Sequence, residues 1–492
     1  MVDPTLLNRK ITRMMRMRLF VDLQCYGTTW SSILKASLFN VSLLLFLVYA
    51  ISETHASGFR LYNQGAAAAG QANAFTAQAD DPSAIHYNPA GLTQLRGVQF
   101  SGGAVLVGGG TSFTSPTGTS VHGGFGNSIA APAPFNYYAT ANLGDIGKQS
   151  LTGLVVGLGV TTPFGLVYSF PASSPFATAV TTEKLPMIDI KPTIAYQVNE
   201  QLSVGLGADI YTFSGLLGSS HAFVQQLVSS GGPGLPPAGS QLELNGTDTA
   251  AGFNASLMYT PFRNADGKPL INVGFVYRSQ VTLHLNGDFL VNGGRVTTAS
   301  TTAVLPQTFT GGVAIWPKRT SAHEWKLELD IDYTDWKAFR NTDVRFGNGT
   351  VLPFPQNWRG SYTIMLGTEW KWLQVPALPA WEIALRSGYW HAQSAIPDRS
   401  YNPAVPDADQ HLFAVGLGTL CKTGGRFFAV VPCGGQAWFS PKAIGLDIGY
   451  QFILYEPRTV IGNQNPVAIP GSVDGRYHTS FHAASLNLRL IF

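Results

Sequence analysis

The chain has 492 residues, of which 12% are charged and 45% hydrophobic, and its net charge is +3. Soluble domains carry about 25% charged residues, so the composition argues against a water-dispersed protein. After the first sixty residues no apolar run approaches the ~20 residues of a spanning helix. No basic run outside the N-terminal region offers a nucleic-acid footprint, and Cys25, Cys421 and Cys433 match no metal-ligand spacing. With 54 glycines and 12% aromatics, what is left is an all-β chain, either in a membrane or secreted.

The longest apolar stretch runs from Leu38 to Ile51, behind a basic segment with Arg9, Lys10, Arg13, Arg16 and Arg18, and ahead of Thr54-His55-Ala56. That is the order of a secretory signal, basic then apolar then small residues at the cleavage site. Residues 1–56 are expected to be removed, leaving Ser57 at the mature start; a retained anchor is the alternative. The basic part is long, so translation starting at Met14, Met15 or Met17 is also open. Cys25 leaves with this leader. Cys421 and Cys433 then meet an oxidising compartment, where a disulfide between them is expected.

From residue 95 onward the sequence alternates apolar and polar residues, the period of a half-buried strand. In the segment 325–333, Trp325, Leu327, Leu329, Ile331 and Tyr333 share one face, and Lys326, Glu328, Asp330 and Asp332 the other. About fourteen such segments occur. The connections between them alternate in length: 108–133, 162–183, 214–248, 290–304, 337–360, 395–409 and 455–479 are long. Five of the other six, 144–150, 199–201, 261–269, 317–322 and 373–379, are short, and only 422–441, which holds Cys433, is not. A β-sandwich has no reason to produce this parity. A transmembrane antiparallel β-barrel of about fourteen strands requires it, with long loops outside and short turns in the periplasm. The last strand ends Leu486, Leu488, Leu490, Phe492 on one face, and a terminal aromatic there resembles the C-terminal signature of outer-membrane barrels. Residues 95–492 are therefore the expected barrel.

Residues 57–94 do not alternate. They combine small residues from Gly65 to Gly70 with Asp80-Asp81-Pro82 and the turn sequence Asn88-Pro89-Ala90-Gly91. Such a segment has too few large apolar groups for a core of its own, and a wide barrel leaks unless its lumen is filled. The expectation is an N-terminal hatch plugging the lumen.

Several of these residues closely resemble the FadL family of outer-membrane long-chain fatty acid and hydrocarbon transporters. They are Ser57-Gly58-Phe59, the run from Gly70 to Phe75, the run from Ala79 to Ala84, and Tyr87-Asn88-Pro89-Ala90-Gly91-Leu92. Further matches lie at 157–165, 191–196, 276–279, 332–336 and 385–389. The long leader and the Cys421/Cys433 insertion depart from the pattern. The resemblance implies a hatch-gated, monomeric barrel in the bacterial outer membrane. Its partners are hydrophobic small molecules and membrane lipid, with no nucleic acid and no cofactor. Substrate would be taken up passively and released sideways into the membrane. Aromatic or alkane uptake by the same route, and a general porin or structural barrel, are the alternatives. No catalytic constellation emerges, so an enzyme is not expected.

Candidate site residues follow. Gly58 and Phe59 open the hatch, with Phe59 a pocket residue; Asn88, Pro89 and Ala90 read as a turn that fixes it. In the loop 214–248, Leu216, Leu217, Phe223, Val224, Leu227 and Val228 suggest a short amphipathic helix walling a substrate groove. Arg278 and Arg386 face the lumen by alternation and could pair with a fatty acid carboxylate, or else sit in ion pairs that join hatch to wall. Pro163-Phe164-Gly165 weakens ladder pairing and marks a potential opening in the wall.

Overall fold

The computed structural model describes residues 58–492 apart from 132, 148, 232–235 and 435–439. The leader expected over 1–56 and the cleavage site lie outside the described residues. Fourteen strands among the described residues close into an antiparallel barrel. In chain order they are β1 Val98–Thr114, β2 Phe135–Asn142, β3 Leu154–Thr161, β4 Met187–Gln197, β5 Leu202–Phe213, β6 Ala250–Arg263 and β7 Pro269–Arg278. Then come β8 Thr308–Arg319, β9 His323–Thr334, β10 Ser361–Trp372, β11 Trp381–Ala392, β12 Gln410–Cys421, β13 Ala443–Tyr455 and β14 Gly475–Ile491. Each pairs with its sequence neighbour, and β1 pairs with β14 from Gln99↔Ile491 to Thr114↔Arg476, which closes the wall. Closure leaves the barrel strands without a free edge, the condition for a sheet in lipid.

The alternation sorts the side chains as the sequence implies. On β9, Lys326, Glu328, Asp330 and Asp332 are buried in the lumen while Ile331 is exposed on the outer face. Leu158, Leu206, Leu385, Val415, Ile448 and Leu486 extend that exposed apolar face around the barrel. Two expectations need correction. The connection 290–304 is not a loop, because Val281–Val291 and Gly294–Leu305 form a hairpin that raises the wall beyond β7 and β8. Asn292 and Gly293 turn it at φ 48° and 77°, the conformation that an Asn-Gly pair adopts most readily. Its second arm, Gly294–Leu305, is rich in Thr and Ser and polar on both faces, which hid the alternation. The amphipathic helix expected in 214–248 is not formed among the described residues, which hold only a single 3-10 turn at Gly215–Leu217: Ala222–Leu227 is a strand, paired with Gln241–Gly246 and with Thr182–Leu185. Val224 and Gln225 suit a strand as well as a helix, and ladder partners on both sides decide the matter.

The segment from Gly58 to Gln94 is almost wholly buried, with short helices at Ala66–Ala69 and Ala84–Tyr87. Its backbone is held by lumen side chains from several sides. The Phe75 and Thr76 amides donate to Asp330 at 2.9 Å, Ala77 to Glu328 at 2.7 Å, Ala66 to Asn487 at 2.9 Å and Ala90 to Ser256 at 2.9 Å. Carboxylates accepting backbone N–H groups satisfy donors that would otherwise be buried without partners. Close approach depends on glycines in the wall: a Cβ at Gly274 would lie 2.4 Å from the Thr76 carbonyl oxygen, and one at Gly388 would lie 2.4 Å from the Gln71 carbonyl carbon.

Candidate functional site: an apolar cavity beside a break in the wall

Among the described residues the ladder between β2 and β3 stops early, at a place that the sequence marks with proline. β2 and β3 pair from Asn142↔Val155 up to Tyr137↔Val160. The next described pair between these two parts of the wall is Gly124↔Ser169, where Ser120–Ile129 meets Leu166–Ser169. Between those registers lie Pro134 and Pro163, which have no N–H to donate, and Gly126 at φ 77°. This is where Pro163-Phe164-Gly165 had suggested an opening.

Against this break lies a cavity of about 200 Å³. Its walls are mainly apolar, with Phe125, Pro134, Phe164 and Leu166 on the side of the break and Trp390 and Ile453 opposite. The N-terminal segment supplies the remaining side. Phe59 packs against four aromatic rings: Trp336 at 4.9 Å between centroids, and Phe164, Phe339 and Trp358 at 5.9 Å each. Gly58 is required there, since it sits at φ 59° and a Cβ would lie 2.8 Å from both Trp336 and Trp358.

The same segment is stitched to the break. The Leu61 amide donates to the Pro163 carbonyl at 2.8 Å and the Gly165 amide to the Phe59 carbonyl at 3.2 Å, forming a bridge at Arg60 and Phe164. Where the wall loses its own ladder, residues 59–61 stand in as its partner. Arg60 is the one charged group among the described residues lining the cavity, and it is already committed. Its Nη1 lies 2.6 Å from Asp332 and 2.8 Å from the Thr334 hydroxyl, with the Tyr62 hydroxyl 3.2 Å from the same carboxylate oxygen. Asn73 Nδ2 and Trp390 Nε1, two uncharged donors of lining residues, have no hydrogen-bond partner among the described residues.

Loops cover the outer end. Asp407 is buried and accepts from the Ser394 hydroxyl, the Ile396 amide and the Gly58 amide, so the cap and the N-terminal segment share a carboxylate. Burial raises the Asp407 carboxyl above its usual range despite Arg458 nearby. Glu183, in a second capping segment, accepts from Asn402 at 2.6 Å and is pushed up to about 7 by burial.

Of the residues singled out in the sequence, Gly58, Phe59, Phe164, Gly165 and Leu217 line the cavity. Leu216 is 72% exposed, and Phe223, Val224, Leu227 and Val228 are half-buried in or beside a strand rather than on the cavity wall. Asn88, Pro89 and Ala90 also lie off the cavity. Asn88 donates to Thr76 O at 2.8 Å and accepts from the Ala90 amide at 3.1 Å, the geometry of a turn that fixes the plug. Neither arginine lines the cavity. Arg386 is clamped between Glu369 at 2.7 Å and Asp447 at 2.6 Å, and Arg278 donates to the His86 carbonyl with Asp209 3.9 Å away. Arg386 thus ties the wall strands β10, β11 and β13 to one another, while Arg278 bonds the wall to the N-terminal segment at His86; a buried cation needs such compensation. The structure joins Cys421 to Cys433. Arg60, Trp336 and Trp358 are site residues that the sequence pattern does not single out; the local signals are the family-like segment 332–336 and the aromatics at 336–358, which alternation does not register.

A closed barrel with an apolar outer belt, a lumen filled by its own N-terminal segment and an apolar cavity beside a wall break defines a plugged outer-membrane barrel. The model of the outer membrane protein transport protein family (OMPP1/FadL/TodX) matches residues 47–422, and the chain belongs to that family. It resides in the outer membrane. Among curated relatives, a long-chain fatty acid transport protein of Escherichia coli is 26% identical over 418 residues, 77% of this chain and 87% of the relative. One of Salmonella typhi is 24% identical over 77% of this chain and 88% of its own. Similar solved folds include a Pseudomonas aeruginosa FadL homologue (TM-score 0.67, 16% identity, 89% of this chain and 100% of the other). Another is the Ralstonia pickettii toluene transporter TbuX (TM-score 0.57, 16% identity, 88% and 100%).

Proposed function

We propose that the chain carries long-chain fatty acids or related hydrophobic compounds passively across the outer membrane, through the apolar cavity and out sideways at the break between β2 and β3. The observation that carries this reading is the bridge between residues 59–61 and 163–165, which makes one segment both a wall of the cavity and the seal of the break. Displacing Phe59 from its aromatic cage opens the cavity toward lipid. A straight aqueous exit would cost an acyl chain about 0.8 kcal/mol for each CH2 brought into water, and the lateral path avoids that cost. Purified protein should bind labelled oleate or members of a panel of alkanes and monoaromatics; a folded protein that binds none of them would overturn the reading.

A second reading concerns the head group. Arg60 is neutralised by Asp332, and the remaining polar groups at the cavity, such as Asn73 and Trp390, are uncharged, which favours neutral compounds over carboxylates. Tighter binding of methyl oleate or toluene than of oleate at neutral pH supports it, and the reverse order assigns the site to fatty acids.

A further inference from the structure

The one long connection at the short-turn end of the barrel, between Cys421 and Ala443, carries an apolar surface that transport does not use. The Cys421–Cys433 disulfide closes a small hairpin in which Arg426–Phe427 pairs with Val431–Pro432. Its tip is Phe428-Ala429-Val430. Phe428 and Val430 are 73% and 75% exposed, and Val431 is 45% exposed. Phe428 and Ala429 both hold positive φ, 46° and 59°, at a turn where Asn-Gly would be unstrained. A bulky apolar side chain is thus kept at a costly position and presented outward.

The direction in which the hairpin folds says what it meets. Trp381, Cys421, Ile444 and Leu490 stand in register across β11, β12, β13 and β14. By alternation all four belong to the same face as the exposed Leu385, Val415, Ile448 and Leu486, the face toward lipid. The base of the hairpin packs on this row: Phe427, Cys433, Cys421 and Ile444 form one buried cluster with Trp381, Leu446 and Leu490 against it, and Phe427 stacks on Trp381 at 6.1 Å. The hairpin therefore lies against the outer wall and continues the lipid belt at the periplasmic border. Lys422, bonded to Glu382 at 3.0 Å and to the Leu373 carbonyl at 3.1 Å, pins its base. Arg426 and Lys442 are exposed beside it, at the level where phosphate groups of the inner leaflet lie.

We infer that the stapled hairpin is a membrane finger, with Phe428, Val430 and Val431 inserted among the phospholipids of the inner leaflet of the outer membrane. Aromatic and apolar tips with flanking cations suit an interface of acyl chains and anionic head groups. The test places a benzophenone-bearing phenylalanine at Phe428, at Val430, at Leu486 on the lipid face, and at Ile461 in the outer loop 455–479. The full-length protein is reconstituted in discs of phosphatidylethanolamine and phosphatidylglycerol. After illumination the peptide spanning 422–434 should gain the mass of one phospholipid with the probe at Phe428 or Val430, as the Leu486 control does, while Ile461 gains none. No lipid adduct at Phe428 and Val430 beside a positive Leu486 would overturn the inference. So would cross-linking of both sites to a protein in intact cells, which would make the finger a docking site for a periplasmic partner.

Discussion

Replacing Phe59 by alanine should loosen the seal between plug and wall without unfolding the barrel. A fully buried Phe→Ala change costs about 3–5 kcal/mol. Phe59 is half-buried but loses three edge-on ring contacts and one tilted one, worth roughly 0.5–1.5 kcal/mol per aromatic pair at most. A cost of about 2 kcal/mol to the closed segment follows, equivalent to a thirtyfold rise in the opened population at about 1.4 kcal/mol per decade. The readout is amide hydrogen exchange at Leu61 and Gly165, whose bonds to Pro163 and Phe59 form the bridge. Both should exchange about thirtyfold faster, because local opening sets their protection, while amides of β9 to β12 and the thermal midpoint stay where they are. Unchanged exchange at these two amides would refute the idea that the aromatic cage holds the seal. An equal acceleration throughout the barrel would refute its local character.

Other expectations follow from the same contacts. Asp332→Asn removes the partner 2.6 Å from Arg60 and frees its charge toward the cavity, so binding of oleate should strengthen relative to methyl oleate; an unchanged ratio would show that Arg60 does not sense the head group. Glu183 has a folded value of about 7 against an ordinary one near 4.5, so the folded cap retains a proton that the opened segment has lost. Its contribution is full below about pH 4.5 and is lost as the pH rises through 7. Exchange of residues 182–185, corrected for intrinsic rates, should rise between pH 5 and 8, and Glu183→Gln should abolish the rise. Converting Cys421 and Cys433 to serine removes a closure worth about 3 kcal/mol for a loop of this length. Trypsin should then cut faster after the exposed Arg426 while the barrel stays folded; equal cutting rates would mean that packing on Trp381 alone holds the hairpin.

The barrel was legible because its physics repeats every two residues. β5, β10 and β12 begin and end where the alternation begins and ends, and the parity of connection lengths set their direction. Alternation fails where both faces meet the same medium, as in the Thr-rich arm Gly294–Leu305, and where strand and helix former overlap, as at Ala222–Leu227. The site was less legible. Gly58 and Phe59 were visible through their likeness to a known N-terminal motif and Pro163-Phe164-Gly165 through the missing donor. The partner of Arg60 is 272 residues away along the chain, and no local pattern announces it. Arg278 and Arg386 illustrate the same limit, since alternation assigns a face and cannot say which carboxylate shares it.

Lateral release requires the break between β2 and β3 to open. It is tested most directly by closing that break: Pro134→Cys together with Thr162→Cys, residues that line the cavity from the two sides of the break, joined by a short thiol-specific cross-linker in protein reconstituted into vesicles. The cross-linked barrel should still bind substrate but lose its transfer into the membrane, with the cross-linker-treated wild type as control for the native disulfide. Transfer that continues undiminished with the break sealed would rule out lateral release at this site.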